Sequence, residues 1–234
     1  MIYVTSDLHG YPLEKFIALL DSVRFGDDDF LFILGDVIDR NGDGGVSLLR
    51  WIMLQPNVEL LLGNHEAMML DCVFLFEEIT DDSLNRLTAE RMDMLARWLA
   101  NGAEVTLAAL RKLNARDPDA IADIFAFLRD APLWDTVPTE DRYFILTHAG
   151  LGNFKPDKRL CRYEPRDLLW HRPSKDERYH DRITTVFGHT PTALYGTPGR
   201  AYHTDTWIDV DTGAASGGSP MLLRLDDMRE FYVE

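Results

Sequence analysis

Phe30-Leu31-Phe32-Ile33-Leu34-Gly35-Asp36-Val37-Ile38-Asp39-Arg40 decides the reading of this chain. Residues 30–34 are apolar without alternation, the pattern of a short strand covered on both faces, as in sheets with parallel strands. The run then meets a glycine, two carboxylates and an arginine. That is poor loop filler, because glycine frees the backbone to turn while the charged groups need partners.

The same grammar recurs on either side. Residues 2–6 form a predicted strand leading into Asp7-Leu8-His9-Gly10, and residues 58–62 one leading into Gly63-Asn64-His65-Glu66. Between them, residues 11–23 and 45–53 carry helical spacing, the first with Pro12 at its opening turn. Further strands are expected over 143–147, 184–187, 207–210, 221–225 and 230–233. The first two lead into His148 and into Gly188-His189-Thr190. Residues 67–131 break the pattern with helical periods over 68–78, 83–100 and 121–129, and Asp81-Asp82-Ser83 offers an N-cap. This segment is expected to be a helical cap insertion within a single domain spanning 1–234, and residues 152–182 a loop beside the site.

Composition narrows the function. The chain has 234 residues, 46% hydrophobic and 27% charged, which is ordinary for a soluble globular domain. No apolar run approaches the roughly 18 residues of a membrane span, and the opening residues lack a basic stretch, so a cytoplasmic protein with no membrane partner is expected. A net charge of -15 argues against nucleic acid, whose binding needs a basic face. Cys72 and Cys161 stand in no ligating spacing and are expected to be buried free thiols.

Asp7, His9, Asp36, Asn64, His148 and His189 all fall at strand ends, and all are metal-ligating types. Ligands of open α/β sheets collect at the carboxyl ends of strands, so these six side chains are expected to meet. Carboxylate, imidazole and amide without thiolate suit manganese, iron, zinc or nickel better than calcium or magnesium.

Asp7-Leu8-His9-Gly10, the 35–40 and 63–66 blocks, His148-Ala149-Gly150 and Gly188-His189-Thr190 resemble the signature blocks of the calcineurin-like metallophosphoesterases. More narrowly they resemble the phosphoprotein phosphatase family, in its phage lambda and bacterial serine/threonine type. Trp98-Leu99-Ala100-Asn101-Gly102, Leu169-Trp170-His171-Arg172 and the closing Ile208-Asp209-Val210-Asp211-Thr212-Gly213 extend the likeness. The resemblance implies an α/β fold: a four-layer αββα metallophosphoesterase sandwich of two mixed sheets with a helical insertion. It also implies two divalent transition-metal ions, manganese first, with iron, zinc or nickel as alternatives. Asp7 and His9 would hold one ion, Asn64, His148 and His189 the other, and Asp36 both. A carboxylate can give one lone pair to each of two cations, which an amide or imidazole does poorly.

By the same resemblance Arg40, Arg172 and Asn64 bind the substrate phosphate, His65 is the general acid and Asp39 holds its ring. The ions and arginines together outweigh Asp7, Asp36 and a hydroxide, so an acidic protein presents one positive pocket. Ser6 stands where the family usually has glycine, and Asn41 interrupts its usual Asp-Arg-Gly. Both flank ligands without removing one, so shifted loops and an intact site are expected. Asp209 and Asp211 are expected in supporting or turn roles, and His171 as loop.

The implied activity is a metal-dependent phosphomonoesterase, most directly a serine/threonine protein phosphatase with phosphotyrosine as an extension. A hydroxide shared by the ions would attack phosphorus in line. The alternative is a nucleotide phosphohydrolase of the symmetrical diadenosine tetraphosphate hydrolase type. A basic or aromatic platform for a nucleobase would favour the alternative, whereas the 98–102 and 169–172 segments favour the phosphatase. A phosphorylated protein or a small phosphoester is the expected partner. A non-catalytic module would be expected to have lost ligands, and none is missing.

Overall fold

The strand-ending blocks are brought together by two sheets. In the computed structural model, which describes residues 1–78 and 80–233, the strands are β1 (Ile2–Thr5), β2 (Phe30–Ile33), β3 (Val58–Leu60), β4 (Trp134–Pro138) and β5 (Tyr143–Thr147). They continue as β6 (Thr184–Phe187), β7 (Tyr202–His203), β8 (Trp207–Asp209), β9 (Met221–Arg224) and β10 (Arg229–Tyr232). One five-stranded sheet runs β10-β9-β1-β2-β3, with β1, β2 and β3 parallel and β9 antiparallel to β1. The other runs β4-β5-β6-β8-β7, with β5, β6 and β8 parallel between antiparallel edges.

Strand alternation sorts the apolar side chains into layers. Val4, Phe32, Leu34, Phe144, Leu146, Val186 and Ile208 meet between the sheets. Tyr3, Leu31 and Ile33 face the other way, onto α1 (Leu13–Ser22), α2 (Val46–Ile52) and α3 (Asn64–Asp71). Ile145, Phe187 and Trp207 form the outer face of the second sheet, against Leu168, Tyr179 and Tyr195. The sandwich is therefore the expected αββα arrangement. Its fourth layer is thin, made of α8 (Pro165–Leu169), 3-10 turns and loops.

The segment between the two sheets adds α4 (Asp81–Asn85), α5 (Ala89–Ala100), α6 (Glu104–Asn114) and α7 (Pro118–Asp130). Met68, Trp98, Leu110, Ile124 and Leu128 share one buried cluster with the outer face of the first sheet. Several expectations need correcting. The helix predicted over 83–100 is two, because Thr88 caps a new start by accepting Arg91 N–H. The cap of α4 is Thr80, which exchanges hydrogen bonds with Ser83. Helix α6 and strands β4 and β7 were not anticipated, and Pro12 precedes α1 instead of opening it.

Cys72 is buried, as expected, but Cys161 is exposed. Among the described residues no helix is long and apolar enough to cross a membrane.

Candidate metal centre

Most of the candidate side chains sit just past the end of a strand, and at six of them the backbone is bent out of its usual range. Asp7, His9, Asp36, Asp39, Arg40 and His189 all have positive φ, between 42° and 75°. Such conformations are costly outside glycine and cluster where side chains must be aimed. Two glycines make the bend possible. A Cβ on Gly35 would lie 2.5 Å from Gly63 Cα, and one on Gly63 would lie 2.3 Å from Asp36 N, so the two loops can only approach this closely back to back as glycines.

The six residues expected at the site do converge. His9 Nε2 lies 3.7 Å from Asp7 Oδ1 and 3.6 Å from Asp36 Oδ2. On its other side Asp36 presents Oδ1 to His148 Nε2 at 3.5 Å. His148 Nε2 is in turn 2.8 Å from Asn64 Oδ1 and 3.2 Å from His189 Nδ1. Asp7, His9, Asp36, Asn64, His148 and His189 are all buried. Asp36 thus faces one donor group with each carboxylate oxygen.

The chemistry of these contacts fits cations. His9 donates Nδ1–H to Ile38 O at 2.9 Å, and His148 donates Nδ1–H to Leu34 O at 2.7 Å. Each ring is left with a bare Nε2 lone pair pointing inward. The His148 lone pair then faces the Asn64 carbonyl oxygen, two acceptors with no proton between them. Ligand bonds of about 2.0–2.2 Å place neighbouring ligand atoms roughly 3 Å apart around one ion, which is the spacing seen. Two groups of ligand atoms, His9–Asp36–His65 and Asp36–His148–His189, each fall within 4.8 Å, and they share Asp36.

Burial, then the Asp211 carboxylate, raises the Asp7 carboxyl well above its ordinary range, and burial followed by Asp7 does the same for Asp36. Burial pushes His148 down to about 3 and His189 to about 2. Carboxylates that resist ionising and imidazoles that resist protonation share one cause, burial away from water, which disfavours either charge.

His65 belongs to the first donor group by distance, yet its bonding differs. Its Nδ1 is held by Asp39 Oδ2 at 2.6 Å, and its Nε2 meets Arg40 Nη2 at 3.3 Å. The guanidinium is a donor only, so it already uses the lone pair that a metal would need. Arg40, Arg172, Asn64 and His65 line one cavity of about 70 Å³ with Asp7, His9, Asp36 and His189.

Glu66 and Asn101 had no role of their own in the sequence reading, whereas Asp211 was expected in a supporting or turn role. Glu66 is fully buried, and its Oε1 accepts Val37 N–H and Ile38 N–H while Oε2 accepts Asp36 N–H and Gly63 N–H. In sequence it looks like an ordinary acid in a helix's first turn. Asp211 lines the cavity and is pushed up to about 6, chiefly by burial. Asn101 lines it too, from the turn after α5. The two unusual residues are absorbed without disturbing the cavity. Ser6 Oγ donates to Asp7 Oδ2 at 2.5 Å, and Asn41 Nδ2 donates to His9 O at 3.1 Å. His171 pairs with Glu177 at 2.7 Å, a loop contact.

Residues 1–208 match the family described as calcineurin-like phosphoesterase. The chain belongs to this family. It is accordingly a metallophosphoesterase, a hydrolase of phosphoric ester bonds. A symmetrical bis(5'-nucleosyl)-tetraphosphatase from Nitrosospira multiformis is 36% identical, covering 100% of this chain and 95% of that protein. A crystal structure of a putative diadenosine tetraphosphatase superposes with a TM-score of 0.64 at 17% identity, covering 99% of this chain and 92% of that one. A protein serine/threonine phosphatase from Saccharomyces cerevisiae gives 0.57 at 16% identity, over 100% of this chain and 80% of the other. At those identities the two structures speak for the fold alone.

Proposed function

We propose that this metallophosphoesterase is a two-metal phosphomonoesterase acting on phosphoserine and phosphothreonine in proteins. The observation that carries the two-metal reading is Asp36, whose two oxygens face His9 on one side and His148 on the other. Asp7, His9 and Asp36 would hold one ion, and Asp36, Asn64, His148 and His189 the other. When bound, the ions activate water and offset the charge of the phosphoryl oxygens, with manganese the first candidate. The reading treats residues 1–234 as one domain with 67–131 as an insertion, supported by the buried cluster they share.

The chain's own groups complete the reaction. Arg40 and Arg172 reach the cavity from exposed positions and would clamp phosphoryl oxygens, for which their planar forks are suited, while Asn64 adds its amide. When Arg40 turns from His65 Nε2 to a phosphoryl oxygen, Nε2 can carry a proton and give it to the leaving oxygen, while Asp39 at Nδ1 stabilises the charged ring. The cavity is small, about 70 Å³, which suits a phosphoryl group entering it.

Support for a phosphoprotein substrate comes from the 98–102 and 169–172 segments, which carry the protein-phosphatase likeness. Both reach the cavity, through Asn101 and through Trp170 and Arg172. A second reading, symmetrical cleavage of a dinucleoside tetraphosphate, is favoured by the relative 36% identical over the full chain. Trp170, an aromatic ring at the cavity, would then be a base platform, although Arg97 already covers one face at 4.1 Å. The manganese-loaded protein given a phosphoserine peptide and diadenosine tetraphosphate separately decides between them. Phosphate release from the peptide supports the first reading. Cleavage of the dinucleotide to two ADP, with the peptide untouched, replaces it by the second.

Replacing His65→Asn is expected to slow phosphoserine hydrolysis by about 10²- to 10⁴-fold, the worth of a general acid. p-Nitrophenyl phosphate, whose leaving group needs no proton, should suffer less. Equal losses on both would remove His65 from the role.

Metal affinity should rise with pH. The raised carboxyls of Asp7 and Asp36 keep protons at pH values where ordinary carboxyls have lost them, and an entering ion must displace those protons. His148 and His189, depressed to about 3 and about 2, are already neutral and add no competition near neutrality. The gain in thermal midpoint on adding manganese should therefore be smallest in acid and grow as pH rises and the raised carboxyls lose their protons. A gain that stays flat, or falls, as pH rises would contradict the assigned ligands.

A further inference from the structure

Asp39 is completely enclosed, and the groups that enclose it come from the helical insertion. Trp98, on α5, donates its indole N–H to Asp39 Oδ2 at 2.8 Å. Thr106, on α6, donates its hydroxyl to Asp39 Oδ1 at 2.6 Å and accepts the Asp39 backbone N–H at 3.0 Å. The next residue is held as well, since Arg40 N–H bonds to Gly102 O at 3.0 Å in the turn joining the two helices. Asp39 Oδ2 also accepts His65 Nδ1–H, at 2.6 Å.

A carboxylate bonded only to an imidazole can rotate and offer either oxygen to other donors nearby, Arg40 among them. One bond from the Thr106 hydroxyl to Oδ1 and one from the Trp98 indole to Oδ2 fix the plane of the carboxylate, and the second lone pair of Oδ2 is then aimed at His65 Nδ1. Asp39 holds an unfavourable φ of 75°, so its backbone is also fixed by contacts from outside its own loop. A buried indole N–H needs an acceptor wherever it lies, and that need alone would explain one of these bonds. It does not explain why both insertion helices send a donor to the same carboxylate.

We propose that Trp98 and Thr106 are positioning residues that orient Asp39, so that the helical insertion governs how fast His65 protonates the leaving group. The proposal rests on the assignment of His65 as general acid. Losing either donor leaves the metal ligands and arginines in place and loosens only the pair that handles the proton. The defect should therefore grow as the leaving group becomes more basic.

The test uses the full metal-loaded chain with phenyl phosphate and p-nitrophenyl phosphate, whose leaving groups differ in their need for a proton. Trp98→Phe and Thr106→Val should each lower kcat on phenyl phosphate about 10-fold, the low end for removing a group that orients a functional histidine. On p-nitrophenyl phosphate the loss should stay below about threefold, because nitrophenolate leaves without a proton. Thr106→Ser, which keeps the hydroxyl, should restore phenyl phosphate turnover. Equal losses on both substrates, or a serine variant no better than valine, overturn the proposal. If Trp98→Phe fails to fold, the Thr106→Val and Thr106→Ser pair decides. His65→Asn run beside them separates the two ideas. A substrate-selective loss in His65→Asn but not in the other variants ends the positioning role and leaves the acid standing, whereas an unselective loss in His65→Asn ends both.

Discussion

Asp36→Asn should reduce bound metal from two equivalents to one or fewer and lower phosphoester turnover by about 10³- to 10⁴-fold. The substitution keeps the shape of the side chain and the acceptor for His65 N–H, 3.0 Å from Oδ1. It removes a negative charge and one of the two electron-pair donors that face His9 and His148. Metal ions contribute several kcal/mol to stabilising charge in such a transition state, and each 1.36 kcal/mol is a factor of ten in rate. Elemental analysis of the purified variant beside its turnover number checks the prediction. Two equivalents of metal with near-normal activity would show that the oxygen facing each group has no bridging role.

Glu66→Ala should cost about 4 kcal/mol of folding stability, because it strands four enclosed backbone N–H groups at about 1 kcal/mol or more each. For a chain of this length that corresponds to a fall in thermal midpoint of about 8–16 °C. The cause is specific to the fold. Asp36, Val37 and Ile38 leave the first sheet in a turn whose amides have no strand to bond, and the carboxylate from the first turn of α3 takes their place. The same clamp fixes the backbone on either side of Asp36, so the metal-free variant should lose as much stability as the loaded one. A shift of less than about 2 °C in both would mean that water replaces the carboxylate and that the loop holds itself.

The sites and strands that were legible in the sequence share one property: their signal is local. The run 30–34 could only be a short covered strand, and Asp7, Asp36, Asn64, His148 and His189 each follow such a run closely. Elements whose stability comes from neighbours were not legible. Helix α6 is amphipathic, with Leu107 and Leu110 on its buried side, but its period says nothing of the helices α2 and α7 that it packs against. Strand β4 alternates poorly and exists because β5 offers it a full edge from Trp134 to Pro138. Thr106 has a common residue type in surroundings that do not distinguish it from a solvated side chain, and Glu66, although it closes the 63–66 block, gives no local sign of the four amides it accepts from.

The amino-acid order alone determined the family, the alternation of strand and polar turn, and the list of side chains able to ligate metal. It could do so because a strand's end places the following residues at one edge of a sheet whatever lies beyond. Tertiary structure decided which oxygen of Asp36 faces which histidine, that His65 bonds Asp39 and Arg40, and that α5 and α6 close over Asp39. Those relations depend on distances of 2.6 to 3.6 Å between atoms of residues 25 to 112 positions apart along the chain, and only packing of the two sheets and the helices against them sets such distances.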